Sequence, residues 1–390
     1  MSILPDYIGV SAFGIKMGII VPGSDLVEMA YEALSRCNSS KLLHDNDTVC
    51  VTESVVARAQ NNYVTIKDIA LEVRKKLNLK PGSKIGVLFP MLSRNRFAPI
   101  LKGLAAAVPQ GEVVVQLSYP ADEVGNQILP DDFAEKLGKD LITLEDIGPE
   151  RFKHPITQVD YIDLYNDIIT QQGCRSHIFL ANDPLEMVKH SLDGIIVANV
   201  HTRDRVKSKV LSQGFKNCIT LQEICCDNAE AWSEWGVLGS NLSSGDKLKL
   251  APREADQFAD RLQTMVREGL GKSIEVIVYG DGAYCDPATR IYELADPQPV
   301  FGMTKGLRGK YREGIKYKYM VDKMLDEGND IQEIESFLES RKGASFERDS
   351  IETEGTTPRK AVDLIASLAD LVSGSADAGT PLILVKGFFS

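Results

Sequence analysis

Apolar runs of strand length, separated by amphipathic stretches of helix length, recur along this whole chain. Lys84 to Pro90 and Glu112 to Leu117 are two such runs; HIFLAN (177–182), DGIIVANV (193–200), SIEVIVY (273–279) and TPLILVKG (380–387) are others. Runs this short and this rich in Val and Ile suit strands buried on both faces. Between them, Thr65 to Leu79 places Ile66, Ile69, Ala70, Val73 and Leu77 at helical spacing, with Thr65 three residues ahead of Asp68 as a capping box. Asp25 opens another helix after the turn Pro22-Gly23-Ser24, and Pro252 to Leu270 forms a third. Ser93 reads as an N-cap, with Pro99 delaying the helix until about residue 98. Residues 8–21 read as one or two strands, and TVCVTES (48–54) as another. An exposed charged helix is expected over 328–342 and a polar loop over 343–356.

This alternation defines a mixed α/β fold. With 390 residues, two domains are expected. Residues 127–270 differ in texture and read as an α/β domain inserted between 1–126 and 271–390.

Charge narrows the partners. The formal net charge is −11, a field that opposes binding to nucleic acid or an anionic membrane surface. No apolar run reaches the ~18 residues of a membrane span, and Met1 to Tyr7 lack the layout of a secretory signal, so a cytoplasmic location is expected. Seven cysteines without a C-x-x-C pair read as reduced, buried thiols. There is no P-loop, no G-x-S-x-G elbow and no H-E-x-x-H.

Four places carry chemistry. In Thr52 to Arg58, a hydroxyl and a guanidinium could flank a phosphate; the segment also reads as an ordinary strand end. In SYPADEVGN (118–126), Asp122, Glu123 and Asn126 offer oxygen ligands to a hard divalent cation, or form a solvated turn. Asp281 follows an apolar strand, where α/β proteins often place ligands, and Gly280 and Gly282 allow close backbone approach or a tight turn. Lys305, Arg308, Lys310, Arg312, Lys316 and Lys318 form a basic run suited to an anion or to solvent. Arg94 and Arg96, near a helix start, are a similar case.

Five segments, in order, resemble the coenzyme F420-0:gamma-glutamyl ligase family: GIIVPGSDLVEMA (18–30), HDNDTVCVTESVVARAQ (44–60), YPADEVGN (119–126), IEVIVYGDG (274–282), and AVDLIASLADLVSG with GTPLILVKG (361–387). The resemblance covers residues 8–126 and 273–390. Arg58 stands where the family has lysine and Gly282 where it has threonine, Asn126 lies one residue further from Asp122, and residues 127–270 have no counterpart.

The resemblance implies a ligase that adds an amino acid such as L-glutamate to a carboxylate acceptor through an acyl phosphate, driven by GTP or ATP. Asp122 and Asp281 would be catalytic and hold Mg2+ or Mn2+, with Asp363 a third acidic ligand and K+ an optional further ion. Met17, Gly18, Ile19, Ile20, Ser54, Arg58 and Asn126 would contact the nucleotide. The partners implied are small molecules and a second copy of the chain. The alternatives are a ligase for a folate-like or peptide acceptor, and a nucleotide- or metabolite-binding protein without chemistry.

Overall fold

The computed structural model describes residues 5, 7–148, 153, 157–227, 230–282, 284–285, 292–293, 295–312, 315–341, 350–353, 359–373 and 379–389. Two principal sheets organise them, and each is covered by helices on both faces.

The first sheet has five strands in the order Ser11–Ile15, Leu382–Lys386, Thr48–Thr52, Glu275–Tyr279, Val300–Met303. Thr48–Thr52 and Glu275–Tyr279 run parallel; the other neighbours are antiparallel. Strand periodicity explains how one run fills two cores. Val49 and Val51 point to the side covered by the helices Leu26–Ser39 and Ala255–Leu270, where they meet Leu34 and Leu262. Cys50 points to the other side, against Ile365 and Ala369 of the helix Ala361–Ser373.

The second sheet has six strands in the order Leu141–Thr143, Arg175–Ala181, Glu112–Leu117, Lys84–Leu88, Gly194–Val197, Cys218–Thr220, all parallel except the first. The helices Ile66–Lys76, Phe97–Ala106 and Tyr161–Gln171 cover one face and Arg203–Ser212 the other. From Lys84–Leu88 the chain builds outward to one side, then returns to build on the other. Such a reversal opens a crevice at the carboxyl ends of the two diverging strands, here after Leu88 and Val197. Strands from both sides of residue 126 share this sheet, so the expected boundary at 126/127 runs through it.

Local signals hold at several ends. Thr65 and Asp68 form the capping box, with the Thr65 side chain accepting from the Asp68 amide and Asp68 accepting from the Thr65 amide. Asp25 accepts from the amide of Glu28. Ser93 Oγ accepts from the Arg96 amide at 3.1 Å, and the helix begins at Phe97, close to the delay expected from Pro99. One strand, not two, forms within residues 8–21. The strand expected over 48–54 stops at Thr52, because Glu53 already opens the helix Glu53–Ala59. The exposed charged helix is Ile331–Ser340; most of the loop expected over 343–356 lies outside the described residues. No described helix is long and apolar enough to cross a membrane.

Candidate functional site

At the end of the strand Glu275–Tyr279 the backbone comes within hydrogen-bond reach of two carboxylates from distant parts of the chain. Asp296 Oδ2 accepts from the Asp281 amide at 2.9 Å, and Asp370 Oδ2 accepts from the Gly282 amide at 2.9 Å. Gly280 makes this possible. A Cβ there would lie 2.4 Å from Asp296 Oδ2 and 2.6 Å from the Phe301 ring, so the glycine serves close approach rather than a turn. Asp370 comes from the last helix, two turns beyond Asp363 and on the same face.

One guanidinium answers these acids. Arg96, immediately before the helix Phe97–Ala106, donates through Nη1 to Asp296 Oδ1 at 2.6 Å and through Nη2 to Asp281 Oδ2. Burial works against its charge, but Asp296 and Asp281 outweigh that and raise its pKa above the ordinary arginine value. Burial and the neighbouring Asp296 push the Asp281 carboxyl up to about 6, against the opposing pull of Arg96.

A second buried pair lies alongside. Lys249 Nζ donates to both oxygens of Glu53, at 2.7 and 3.0 Å. Burial pushes Glu53 up to about 7; Lys249 opposes this, while Asp296 and Asp281 add to it. Three carboxylates (Glu53, Asp281, Asp296) thus pair with two cations (Arg96, Lys249), and the charge of Asp370 adds to the upward push on Asp281. Carboxylate oxygens suit hard divalent cations. Among the described residues, however, no three His, Cys, Asp or Glu side chains converge as a metal-binding group.

The other acidic loop is built differently. Asp122 accepts from the amides of Leu92 (2.6 Å), Val124 (3.1 Å) and Asn126 (2.8 Å), and from Asn126 Nδ2 (2.9 Å). Burial pushes its carboxyl up to about 6, while the Asn126 side chain and these amides pull it down. Both oxygens are engaged by N–H donors, and Asn126 is spent on closing the loop. Glu123 accepts from the amides of Val200, His201 and Thr202 at 2.6 to 2.9 Å, at the start of the helix Arg203–Ser212. There it fills an anion-binding helix end with the protein's own carboxylate.

The remaining sequence candidates are dispersed. Ser54 is half-buried and Arg58 exposed, both on the helix Glu53–Ala59 rather than at a strand end. In the loop after Ser11–Ile15, Met17 and Ile20 are buried and Ile19 is 87 % exposed; Gly18 has φ +86°. Asp363 sits in the first turn of the last helix, roughly 10 Å along the axis from Asp370. Of the arginine pair, Arg94 is exposed, while Arg96 meets the protein's own acids rather than an open anion site. In the basic run, Arg308 pairs with Asp256 and Lys310 lies over the Phe389 ring.

Asp296, Asp370, Glu53 and Lys249 escaped the sequence reading. Asp370 left a usable signal, a carboxylate on the apolar face of a helix that also carries Ile365, Ala366 and Ala369. Asp296 left none, being one acid in an irregular stretch.

Helix-covered sheets with a buried acidic centre at a strand end define an α/β protein with one candidate site. The F420-0:Gamma-glutamyl ligase family model matches residues 14–387, and the chain belongs to that family. The match takes in residues 127–270, which the motif resemblance had left out. Comparison with curated proteins found no match.

Proposed function

We propose that this chain is a nucleotide-driven ligase that joins an amino acid such as L-glutamate to a carboxylate acceptor. The observation that carries the reading is the gathering of Asp296 and Asp370 at the backbone beside Asp281, in a chain whose family is named for gamma-glutamyl ligation.

A carboxylate resists attack by an amine, because its oxygen is a poor leaving group. In the proposed reaction an acceptor oxygen attacks the γ-phosphorus of GTP or ATP and the bond to the β-phosphate oxygen breaks. The amine then attacks the acyl carbon, phosphate leaves, and the amine gives up a proton. Enzymes of this kind act mainly by positioning reactants and neutralising charge. Asp281, with Asp296 and Asp370 beside it, would hold Mg2+ or Mn2+, whose contribution is to offset charge on the nucleotide phosphates. Asp281 suits this role better than Asp122, whose oxygens are already filled by amides. Arg58, exposed at the end of its helix, would grip phosphate oxygens with its planar fork, with Ser54 one helical turn away. The backbone of Met17 to Ile20 would border the nucleotide.

The test is release of nucleoside diphosphate from GTP or ATP, with L-glutamate, F420-0 as acceptor, and Mn2+ or Mg2+. The expected result is sustained release that needs the acceptor, the metal and an amine nucleophile, with hydroxylamine able to replace the amino acid by trapping the acyl phosphate. Release that is indifferent to acceptor and amino acid would contradict the reading.

A further inference from the structure

Arg96 bridges Asp281 and Asp296, so it occupies the space between two carboxylates that would otherwise face one another. Its side chain is only 14 % exposed, against 40 % for that of Asp281, so the guanidinium lies on the protein side of the pair.

The segment that carries Arg96 is held at several points. Leu92 donates its amide to Asp122 at 2.6 Å. Ser93 donates its amide to the Tyr165 hydroxyl at 3.0 Å, and that hydroxyl donates to the Met91 carbonyl at 2.6 Å. Phe89, where the segment leaves its strand, has φ +51°, a left-handed conformation that a bulky residue adopts at a cost. Asp122, Tyr165 and the turn at Phe89 thus set the position from which Arg96 reaches across to the other sheet.

We infer that Arg96 is a resident counter-ion: it takes the charge-balancing place of a divalent cation at Asp281 and must give up that carboxylate before a cation can bind. The inference rests on the proposal that Asp281 holds such a cation. It accounts for the acids gathered at one strand end, which among the described residues do not converge into a metal-binding group. A guanidinium between two carboxylates keeps their oxygens apart and satisfies them, whereas a cation draws oxygens to within about 2.0–2.6 Å of itself. Occupation of the cation site is thereby coupled to the segment 89–96 and through it to the six-stranded sheet. Arg96 is a positioning residue for this reaction, since its contacts are to Asp281 and Asp296.

Titration with Mn2+ alone, followed by electron paramagnetic resonance, tests the inference on the full chain. Arg96→Gln removes the competing charge and is expected to bind Mn2+ about tenfold more tightly than wild type; Arg96→Lys, which keeps the charge but loses the fork, falls between. Asp281→Asn in the Arg96→Gln background should abolish the gain. Equal or weaker binding by folded Arg96→Gln, with binding still dependent on Asp281, overturns the counter-ion role. Absence of Asp281-dependent binding in every variant instead overturns the cation site. Hydrogen exchange on wild type covers the case in which the variants do not fold. Saturating Mn2+ should speed exchange of the Leu92 and Ser93 amides, and unchanged exchange under saturation overturns the inference.

Discussion

The loops containing Asp122 and Asp281 look alike in sequence: each places an acidic residue just after an apolar strand. In the fold they are opposites. Asp122 is surrounded by N–H donors and organises its own loop and the neighbouring segment. Asp281 is surrounded by other carboxylates and shares one guanidinium with Asp296. A carboxylate whose lone pairs are filled by amides has completed its work in folding. One that sits among its own kind is held there at an energetic cost and is available for chemistry.

Substituting the two aspartates should separate these roles. The largest effect expected is on activity: Asp281→Asn keeps shape but loses the charge, and turnover of nucleotide should fall by about 10²-fold or more. Its melting temperature should stay near that of wild type, because the lost charge relieves crowding with Asp296. Asp122→Asn should do the reverse. An amide there turns NH2 toward N–H groups that need an acceptor, at a cost of about 3 kcal/mol in stability, read by denaturant unfolding. A stable Asp122→Asn protein without activity would move Asp122 to the chemical side of the comparison.

Arg58 tests the reach of the site beyond Asp281. Arg58→Ala should weaken nucleotide binding by roughly 1.5–3 kcal/mol and change stability by less than about 0.5 kcal/mol, as for an exposed residue. Arg58→Lys should recover part of the loss. Calorimetric titration of nucleotide into the three proteins decides, and unchanged affinity in Arg58→Ala would remove the phosphate role.

Gly280→Ala sharpens the contrast from the backbone. The added methyl meets Asp296 and Phe301, and overpacking of this kind costs ~1–3 kcal/mol. The same substitution at Gly82, where a Cβ has nothing within 4 Å, should be nearly neutral.

The smallest effect expected is a change of slope with pH. Glu53 takes up a proton more readily folded, at about 7, than at its ordinary 4.5. The folded state therefore holds the extra proton between those values. The contribution is complete below the window and is lost as pH rises through it, so Glu53→Gln should flatten this part of the melting-temperature profile. A profile unchanged by the substitution would show that Lys249 keeps Glu53 ionised throughout.

Much of the frame was legible because it rests on local rules. The apolar runs became the strands Lys84–Leu88, Glu112–Leu117 and Glu275–Tyr279, and the Thr65–Asp68 cap marks its helix start. The extent of the six-stranded sheet was not legible, since pairing of Glu112–Leu117 with Arg175–Ala181 is a long-range event that neither segment announces. The site was legible in part for the same reason. Asp281 stands out after its strand, but Asp296, Asp370 and Arg96 reach it from 15, 89 and 185 residues away in sequence. The helix at Glu53 was missed because β-branched and apolar residues continue from the strand into its first turns, leaving periodicity little to distinguish.

The most direct test of the division between the two loops is a Mn2+ titration of Asp122→Asn and Asp281→Asn, with unfolding measured on the same samples. The account predicts that Asp281→Asn loses Mn2+ binding while keeping its unfolding midpoint, and that Asp122→Asn unfolds earlier yet still binds Mn2+ while folded. Loss of Mn2+ binding in folded Asp122→Asn, with Asp281→Asn binding normally, would contradict it.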